Sequence, residues 1–188
     1  MDIYNTPIPG LKVIEPKIYY DNRGYFLETY NDQRYKKLLG NMSPVQDDHA
    51  FSIKNVLRGI HFQITNPQEQ LMYLASGKIF FVAVDFRPDS PTFLNHYSTI
   101  LSAEKHLQIL MPRGVGSGYF TFSESVHLIY KVSKIYGDNV EFGIMWNDPN
   151  LAIEWPAKNP IVSEKDCGNK LIKEVDISKY KNLIGLIP

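Results

Sequence analysis

The histidines of this sequence are the first candidates for acid–base or metal chemistry near neutral pH, because imidazole changes its charge in that range. There are five: His49, His61, His96, His106 and His127. A metal site on a β-barrel would need two of them one residue apart, with a carboxylate and a further histidine nearby. The nearest match is His61-Phe62-Gln63, in which glutamine stands where the second imidazole would be. The sequence therefore predicts no metal site.

His61 lies in an alternating segment, Asn55 to Gln63, that is typical of a β-strand. Strict alternation puts His61 and Gly59 on one face and Arg58 on the other, so Gly59 is interpreted as leaving room for a ligand beside the imidazole. A lone strand histidine is also commonly a hydrogen-bonded core or surface group, and periodicity leaves both interpretations open. The same holds for Tyr130 on a predicted strand and for Asp166 in a predicted loop.

The composition limits the classes of protein to consider. The chain has 188 residues and a mass of 21.6 kDa, which predicts one domain over residues 1–188. Twenty basic and 20 acidic side chains give a formal net charge of zero, so neither nucleic acid nor an anionic membrane is expected as the main partner. The single cysteine, Cys167, cannot form an intramolecular disulfide, and no signal peptide or membrane span is visible. We therefore expect a cytoplasmic globular protein.

Short apolar or alternating runs, broken by turn residues, predict that most of the chain forms β-strands. The predicted strands are Leu11 to Tyr20, Gly24 to Tyr30, Asn55 to Gln63, Gln70 to Ala75, Lys78 to Arg87, Tyr97 to Leu101, Leu107 to Met111, Gly118 to Phe122 and Val126 to Ser133. Ser76-Gly77 predicts a hairpin. The run Gly114, Gly116 and Gly118 is interpreted as a tight corner. Two short helices are predicted, one capped by Asn31 and ended by Gly40, the other near Asp176 to Asn182. This spacing favours an all-β sandwich or barrel.

Seven short motifs occur in a fixed order along the chain. They are Arg23-Gly24-Tyr25-Phe26-Leu27-Glu28, Leu57-Arg58-Gly59-Ile60-His61-Phe62-Gln63, Val82-Ala83-Val84-Asp85-Phe86-Arg87, Leu110-Met111-Pro112-Arg113-Gly114, Tyr130-Lys131-Val132, Gly143-Ile144-Met145-Trp146-Asn147-Asp148-Pro149 and Ser163-Glu164-Lys165-Asp166. Together they resemble the dTDP-4-dehydrorhamnose 3,5-epimerase family over about residues 8 to 170. The resemblance implies an all-β, cupin-type jelly-roll barrel with a few short helices, acting on nucleotide-linked 4-keto-6-deoxy sugars.

The resemblance also implies a reaction and the groups that perform it. A 4-keto group acidifies the hydrogens on C3 and C5 of the sugar, and removal of one gives an enolate. Inversion then needs a base on one face of the ring and an acid on the other. By resemblance His61 is the base, Asp166 orients it, and Tyr130 returns a proton from the opposite face. No cofactor is implied.

Substrate contacts are implied for ten further residues. Arg58 is expected to hold the diphosphate through charge-assisted hydrogen bonds. Arg23, Phe26 and Glu28 are expected to meet the nucleotide base, with Phe26 stacking on it and Glu28 accepting a base N–H, which suits dTDP first and leaves CDP open. The other positions implied to bind substrate are Gln46, Gln70, Tyr73, Ser117, Glu141 and Lys165. Because the family exchanges its N-terminal strand between subunits, a homodimer is expected.

Four positions depart from the pattern of the family. Gln70 stands where lysine is usual, Tyr73 where arginine is common, Phe81 where aspartate is usual and Ser117 where histidine is expected. These changes leave three functions open: an epimerase acting at C3, C5 or both; a catalytically weak or silent cupin that binds sugar nucleotides; and a metal-dependent cupin, which the missing ligand set opposes. A wall containing Tyr73 and Phe81 predicts preference for a deoxygenated or otherwise altered sugar, or inversion at one carbon.

Overall fold

The computed structural model describes residues 1–35, 43–137, 141–176, 180, 182, 183, 185 and 186. Most of this part of the chain forms antiparallel strands. They are β1 (Asp2–Asn5), β2 (Lys12–Glu15), β3 (Ile18–Asp21), β4 (Gly24–Leu27), β5 (Gln46–Ile53), β6 (Leu57–Gln63), β7 (Gln70–Ser76), β8 (Lys78–Asp85), β9 (His96–Ser102), β10 (Gln108–Met111), β11 (Val115–Thr121), β12 (Ser125–Val132) and β13 (Glu141–Gly143). The helices are α1 (Asp32–Tyr35), α2 (Glu164–Cys167) and the 3₁₀ helix Ile172–Glu174.

Two antiparallel sheets face each other across an apolar core. The six-stranded sheet has the order β1-β2-β10-β7-β12-β5, and the five-stranded sheet has the order β13-β6-β11-β8-β9. Their facing side chains form the main core cluster, to which Met72 and Leu128 contribute from one sheet and Phe81 and Val115 from the other. Burial of this apolar surface is the main force that holds such sheets together. The predicted all-β, cupin-type jelly roll with a few short helices is confirmed.

A helix near the N-terminus and residues near the C-terminus cover parts of the outer faces of the two sheets. Tyr35 of α1 packs on the six-stranded sheet with Ile14 and Leu71. Tyr180 and Leu183, near the C-terminus, join an apolar cluster on the outer face of the five-stranded sheet. Near these segments each sheet therefore packs against apolar side chains on its inner and its outer face.

Most of the predicted strands are present with small shifts at their ends. The single strand predicted from Leu11 to Tyr20 is wrong, because Pro16 interrupts the ladder and the segment forms β2 and β3 in different sheets. Strands β1, β5 and β13 are not predicted from the sequence. For β5 the reason is physical: its half-buried or buried face carries the polar residues Gln46, Asp48 and Ser52, so no apolar alternation marks it.

The hairpin predicted at Ser76-Gly77 is wrong. β7 and β8 belong to different sheets, so this corner carries the chain from one sheet to the other. Gly77 has a φ of 86°, and a Cβ there would lie 2.5 Å from the carbonyl oxygen of Ser125. The corner interpretation of the glycine run is also wrong in part, because Gly116 and Gly118 lie within β11 and Gly114 alone of the three precedes it.

The first turn of the first predicted helix is present as α1. The backbone N–H of Arg34 donates to Oδ1 of Asn31 at 3.3 Å, which confirms Asn31 as the capping residue. The predicted end at Gly40 lies outside the described residues. The predicted helix from Asp176 to Asn182 also lies partly outside them, and the described positions Tyr180 and Asn182 adopt 3₁₀ geometry.

β3 and β4 pair with each other and with neither large sheet. This N-terminal hairpin carries exposed aromatic side chains, among them Tyr20 and Phe26, each 70% exposed. Large aromatic groups seldom remain so open to water without a partner surface.

Candidate active site

A cavity of about 660 Å³ opens between the two sheets. Strands β5, β7 and β12 form one side of it, β6, β11 and β13 form the other, and residues 161–166 lie along its edge. Its hydrogen-bonding and charged side chains are Gln46, Asp48, Arg58, His61, Gln63, Gln68, Gln70, Ser117, Tyr119, Tyr130, Tyr136, Glu141, Ser163, Lys165 and Asp166. A cavity of this size with convergent polar groups is typical of a small-molecule site.

A β-bulge in β6 brings Arg58 and His61 to the same cavity. Opposite β11, His61 pairs with Ser117 and Arg58 pairs with Tyr119, so two residues of β6 face the single Gly118. The extra residue reverses the alternation, and the prediction that Arg58 and His61 occupy opposite faces is wrong. A Cβ at Gly59 would lie 2.6 Å from the Cα of Gly118. Gly59 therefore permits close approach of two strands, and its interpretation as space for a ligand is also wrong.

His61 forms a short contact with a carboxylate 105 residues away. Its Nε2 lies 2.6 Å from Oδ1 of Asp166, while Oδ2 of Asp166 accepts the backbone N–H of Gly59 at 3.2 Å. Ser163 caps α2 by accepting the N–H of Asp166 at 3.1 Å, which fixes the start of the helix. Asp166 is 2% exposed and not the solvated loop group that its local sequence suggests.

The surroundings of Asp166 keep it ionised. Burial by itself raises the pKa of this carboxyl, but the hydrogen bond and charge of His61, the Gly59 N–H and Lys165 together bring the pKa below its ordinary value. An ionised acceptor at Nε2 holds the proton of a neutral imidazole on that nitrogen. Nδ1 is then left with its lone pair, 3.9 Å from Oε1 of Glu141. This is the arrangement of a general base whose orientation is fixed by a carboxylate.

Tyr130 lines the cavity from the six-stranded sheet, opposite Asp48 in the pairing of β12 with β5. Burial raises the pKa of its phenol to about 12, with the negative charges of Asp48 and Glu141 acting in the same direction. Tyr130 is therefore protonated at neutral pH. It is a group that can give a proton rather than take one.

Arg58 is fixed at the cavity by two hydrogen bonds. Its Nε donates to Oγ of Ser52 at 3.0 Å, and its Nη2 donates to the backbone oxygen of Phe51 at 3.1 Å. Oγ of Ser52 also lies 3.0 Å from the hydroxyl of Tyr119, so a small network joins β5, β6 and β11. A guanidinium held in this way can bind a phosphate with little loss of side-chain entropy.

Five of the other positions predicted to bind substrate also line the cavity: Gln46, Gln70, Ser117, Glu141 and Lys165. Phe81 lies there as well. Tyr73 does not, because β7 turns Gln70 and Met72 toward the cavity and the neighbouring odd-numbered positions away. The structure therefore places Tyr73 outside the cavity, and its predicted place in the substrate site is wrong.

The three residues predicted to meet the nucleotide base lie outside the cavity of their own chain. Arg23 is bound to Asp21, with Nη2 to Oδ2 at 2.6 Å. Glu28 accepts the side-chain amide of Asn31 at 3.2 Å, and Phe26 projects into solvent. Within one chain the structure does not bring these residues to His61.

Sequence reasoning missed several groups that surround the predicted ones. Asp48, Ser52 and Tyr119 were not singled out, although each contacts or faces a predicted residue. Polar residues at three of the four alternate positions from 46 to 52, Gln46, Asp48 and Ser52, are the signal that could have located this wall. Ser52 and Tyr119 share a hydrogen bond that only the packing of β5 against β11 creates.

Within the ranges that the structure describes, no group of three or more histidine, cysteine or acidic side chains could hold a metal ion. The described helices include none with the length and apolar character that crossing a membrane requires.

Comparisons with known proteins identify the family of this chain. The family model for dTDP-4-dehydrorhamnose 3,5-epimerase matches residues 5–174. The chain is 42% identical over 177 residues to the dTDP-4-dehydrorhamnose 3,5-epimerase of Salmonella typhimurium, covering 93% of this chain and 97% of that protein.

Solved structures give the same result. The dTDP-6-deoxy-D-glucose-3,5-epimerase of Legionella pneumophila, in complex with dTDP-4-keto-L-rhamnose, superposes with a TM-score of 0.90 at 41% identity, covering 95% of this chain and 96% of that one. A 3′-monoepimerase of Streptomyces bikiniensis, in complex with dTDP-quinovose, superposes with a TM-score of 0.84 at 27% identity, covering 97% and 91%. The chain thus belongs to the dTDP-4-dehydrorhamnose 3,5-epimerase family of isomerases, and the resemblance drawn from its sequence is confirmed.

Proposed function

We propose that this isomerase epimerises a dTDP-linked 4-keto-6-deoxy sugar through an enolate, with His61 as base and Tyr130 as acid. The observation that supports this most directly is the contact of Nε2 of His61 with Asp166, which leaves Nδ1 free to accept a proton. The names of the relatives supply the substrate class, and the cavity supplies the groups that the reaction needs.

The first half of the reaction is proton removal. Nδ1 of His61 takes a proton from the carbon next to the ketone, and the electron pair of the C–H bond passes into the enolate, whose charge lies mainly on O4. Asp166 stabilises the imidazolium that forms, because it remains ionised and hydrogen-bonded to Nε2. General-base catalysis of this kind typically contributes about 10²–10⁴-fold in rate.

The second half is proton return from the other side of the ring. Tyr130 gives its phenolic proton to the same carbon, which inverts the configuration and restores the ketone. Its raised pKa keeps that proton available at neutral pH. The phenolate that remains takes a proton from solvent, which its neighbours Asp48 and Glu141 favour, and the imidazolium of His61 releases its proton to solvent, so both groups return to their starting states.

Binding of the diphosphate needs positive charge, and the cavity of one chain offers little. Its described lining contains the cations Arg58 and Lys165 against the three carboxylates Asp48, Glu141 and Asp166. We propose that a second copy of the chain contributes a further cation, Arg23, by docking its β3–β4 hairpin at the cavity, where Arg23 exchanges its contact with Asp21 for one with the diphosphate. Arg23 and Phe26 of that hairpin are exposed and unused by their own cavity, and among the strands that the structure describes β5 is an edge of the six-stranded sheet beside it. The result is a homodimer with exchanged N-terminal strands.

Deuterium exchange identifies the carbon that is inverted, and both C3 and C5 are monitored because relatives include 3,5-epimerases and a 3′-monoepimerase. The experiment supplies dTDP- and CDP-linked 4-keto-6-deoxy sugars in D₂O and maps deuterium at C3 and C5. Rapid exchange with the wild type and a loss of about 10²-fold or more in His61→Asn support the proposal. His96→Asn, on β9 and outside the cavity, is the matched control and keeps wild-type exchange.

Unchanged exchange in His61→Asn would remove this residue from the mechanism. Binding of sugar nucleotides by the wild type without any exchange would instead support the silent cupin. Activity lost on exhaustive chelation, and restored by a stoichiometric transition metal, would support the metal-dependent alternative. The cytoplasmic location stays a prediction.

A further inference from the structure

His61 lies between two carboxylates that approach its two ring nitrogens from different elements. Asp166 on α2 contacts Nε2, and Oε1 of Glu141 on β13 lies 3.9 Å from Nδ1. The second distance is too long for a hydrogen bond, so Glu141 acts on the imidazole through its charge. β13 is fixed for this role by pairing with β6, where Gly143 lies opposite His61.

Glu141 is in turn held by a lysine from the same helix as Asp166. Nζ of Lys165 lies 2.5 Å from Oε2 of Glu141, and this hydrogen bond is the main cause of the raised pKa of Lys165. The side chain of Lys165 is 60% exposed and that of Glu141 is 24% exposed, so water screens the lysine more than the carboxylate that faces His61. The short helix α2 thus places Asp166 at Nε2 of His61. It also places Lys165 against Glu141, the carboxylate that faces Nδ1.

We propose that Glu141 and Lys165 act as a positioning pair that sets the pH range in which Nδ1 of His61 is free to take a proton. The proposal rests on the proposed function, in which His61 is the base. Glu141 alone would draw a proton to Nδ1 before substrate arrives, and Lys165 offsets part of that attraction. After the substrate proton has moved to Nδ1, the imidazolium lies between two carboxylates.

Other charged and titratable groups share this cavity with His61. They are Asp166 on α2, Arg58 on β6, Asp48 on β5, Tyr119 on β11, Tyr130 on β12 and Tyr136. Of the carboxylates in the cavity, Glu141 is the one that lies 3.9 Å from Nδ1, whereas Asp166 contacts Nε2.

The test is the pH profile of kcat/KM for deuterium exchange, whose acid limb reports protonation of the base in the free enzyme. Glu141→Gln removes the negative charge and moves the midpoint of that limb to lower pH, by about half to one unit. Lys165→Met leaves Glu141 uncompensated and moves the midpoint to higher pH by a similar amount. Lys165→Arg keeps the charge and restores the wild-type midpoint.

The matched controls are Glu124→Gln and Lys54→Met, which break an exposed ion pair of 2.6 Å outside the cavity and leave the midpoint unchanged. If either cavity variant is too unstable to assay, the histidine titration of the double variant Glu141→Gln/Lys165→Met is followed by NMR, and its midpoint lies near that of the wild type. A shift of the double variant as large as that expected for Glu141→Gln overturns the proposal.

Raised KM with unmoved midpoints in both single variants also overturns it, and shows that the pair contacts substrate only. Failure of the proposed function gives a different result, because His61→Asn then keeps its exchange rate. Loss of exchange in His61→Asn together with unmoved midpoints rejects the positioning role alone.

Discussion

Gly59 and Gly118 lie back to back across β6 and β11, so closely that a Cβ on either would overlap the backbone of the other strand. A Cβ on Gly59 would lie 2.6 Å from Cα of Gly118, and one on Gly118 would lie 2.8 Å from the carbonyl oxygen of Arg58. This contact is the centre of the bulge that turns both Arg58 and His61 into the cavity. The geometry of the site therefore depends on two residues without side chains.

Gly59→Ala is expected to destabilise the fold and disturb the site. The new methyl group would overlap β11, and residue 59 has a φ of 114°, which residues other than glycine rarely adopt. We expect a loss of about 2 kcal/mol or more in the free energy of unfolding, measured with urea. Gly168→Ala is the control, because its Cβ would meet its nearest atoms at 3.5 Å and its φ is ordinary. Equal stability of the two variants would contradict this account of the bulge.

Tyr130→Phe is expected to separate proton removal from inversion. His61 can still form the enolate, but no acid remains on the opposite face, so the carbon regains its proton from the original side or from water. Deuterium should therefore enter the substrate faster than the inverted product appears, with product formation lowered about 10²-fold or more. Equal losses of exchange and of product would show that Tyr130 is needed before the enolate forms.

The double change Gln70→Lys with Phe81→Asp is expected to shift activity toward the ordinary substrate, dTDP-4-keto-6-deoxyglucose. Both residues line the cavity, and in the native chain they present an amide and an apolar ring. An unpaired sugar hydroxyl against such a wall costs on the order of 1–3 kcal/mol, which favours a deoxygenated sugar or inversion at one carbon. Tyr73→Arg, on the other face of β7, serves as the control. If the native chain inverts both carbons of dTDP-4-keto-6-deoxyglucose at about 10 s⁻¹, this prediction is wrong.

The stabilising effect of Asp166 should depend on pH in a defined direction. Its pKa in the folded chain lies below the ordinary value, so the stabilisation is present above the normal carboxyl range and is lost as the pH falls through the folded pKa. Urea unfolding should show the wild type more stable than Asp166→Asn at pH 7, with the difference shrinking toward pH 3. Ser98→Ala, an exposed change that removes no titratable group, should give a difference that does not vary with pH. A difference that grows as the pH falls would show the opposite linkage.

The sequence by itself determined the class of fold and most of the catalytic candidates. The apolar runs of β7 and β8 and the alternating residues of β12 predict strands, because apolar side chains on a strand must be buried on one or both of its faces. The ordered motifs around Arg58, His61, Tyr130 and Asp166 predicted the family, which the comparisons confirm. The roles of these residues in catalysis stay predictions.

Only the tertiary structure decided how those residues meet. Alternation along one strand cannot reveal the bulge at Gly59, because the cause is the approach of Gly118 from another strand. The burial of Asp166 against His61 joins positions 105 residues apart, and β5 was missed because its inward polar groups serve the cavity rather than the core. Local periodicity records which side of an element is apolar. The atoms that a polar side chain contacts are set by the packing of distant segments, and for this reason the orientation of His61 could be found only in the folded chain.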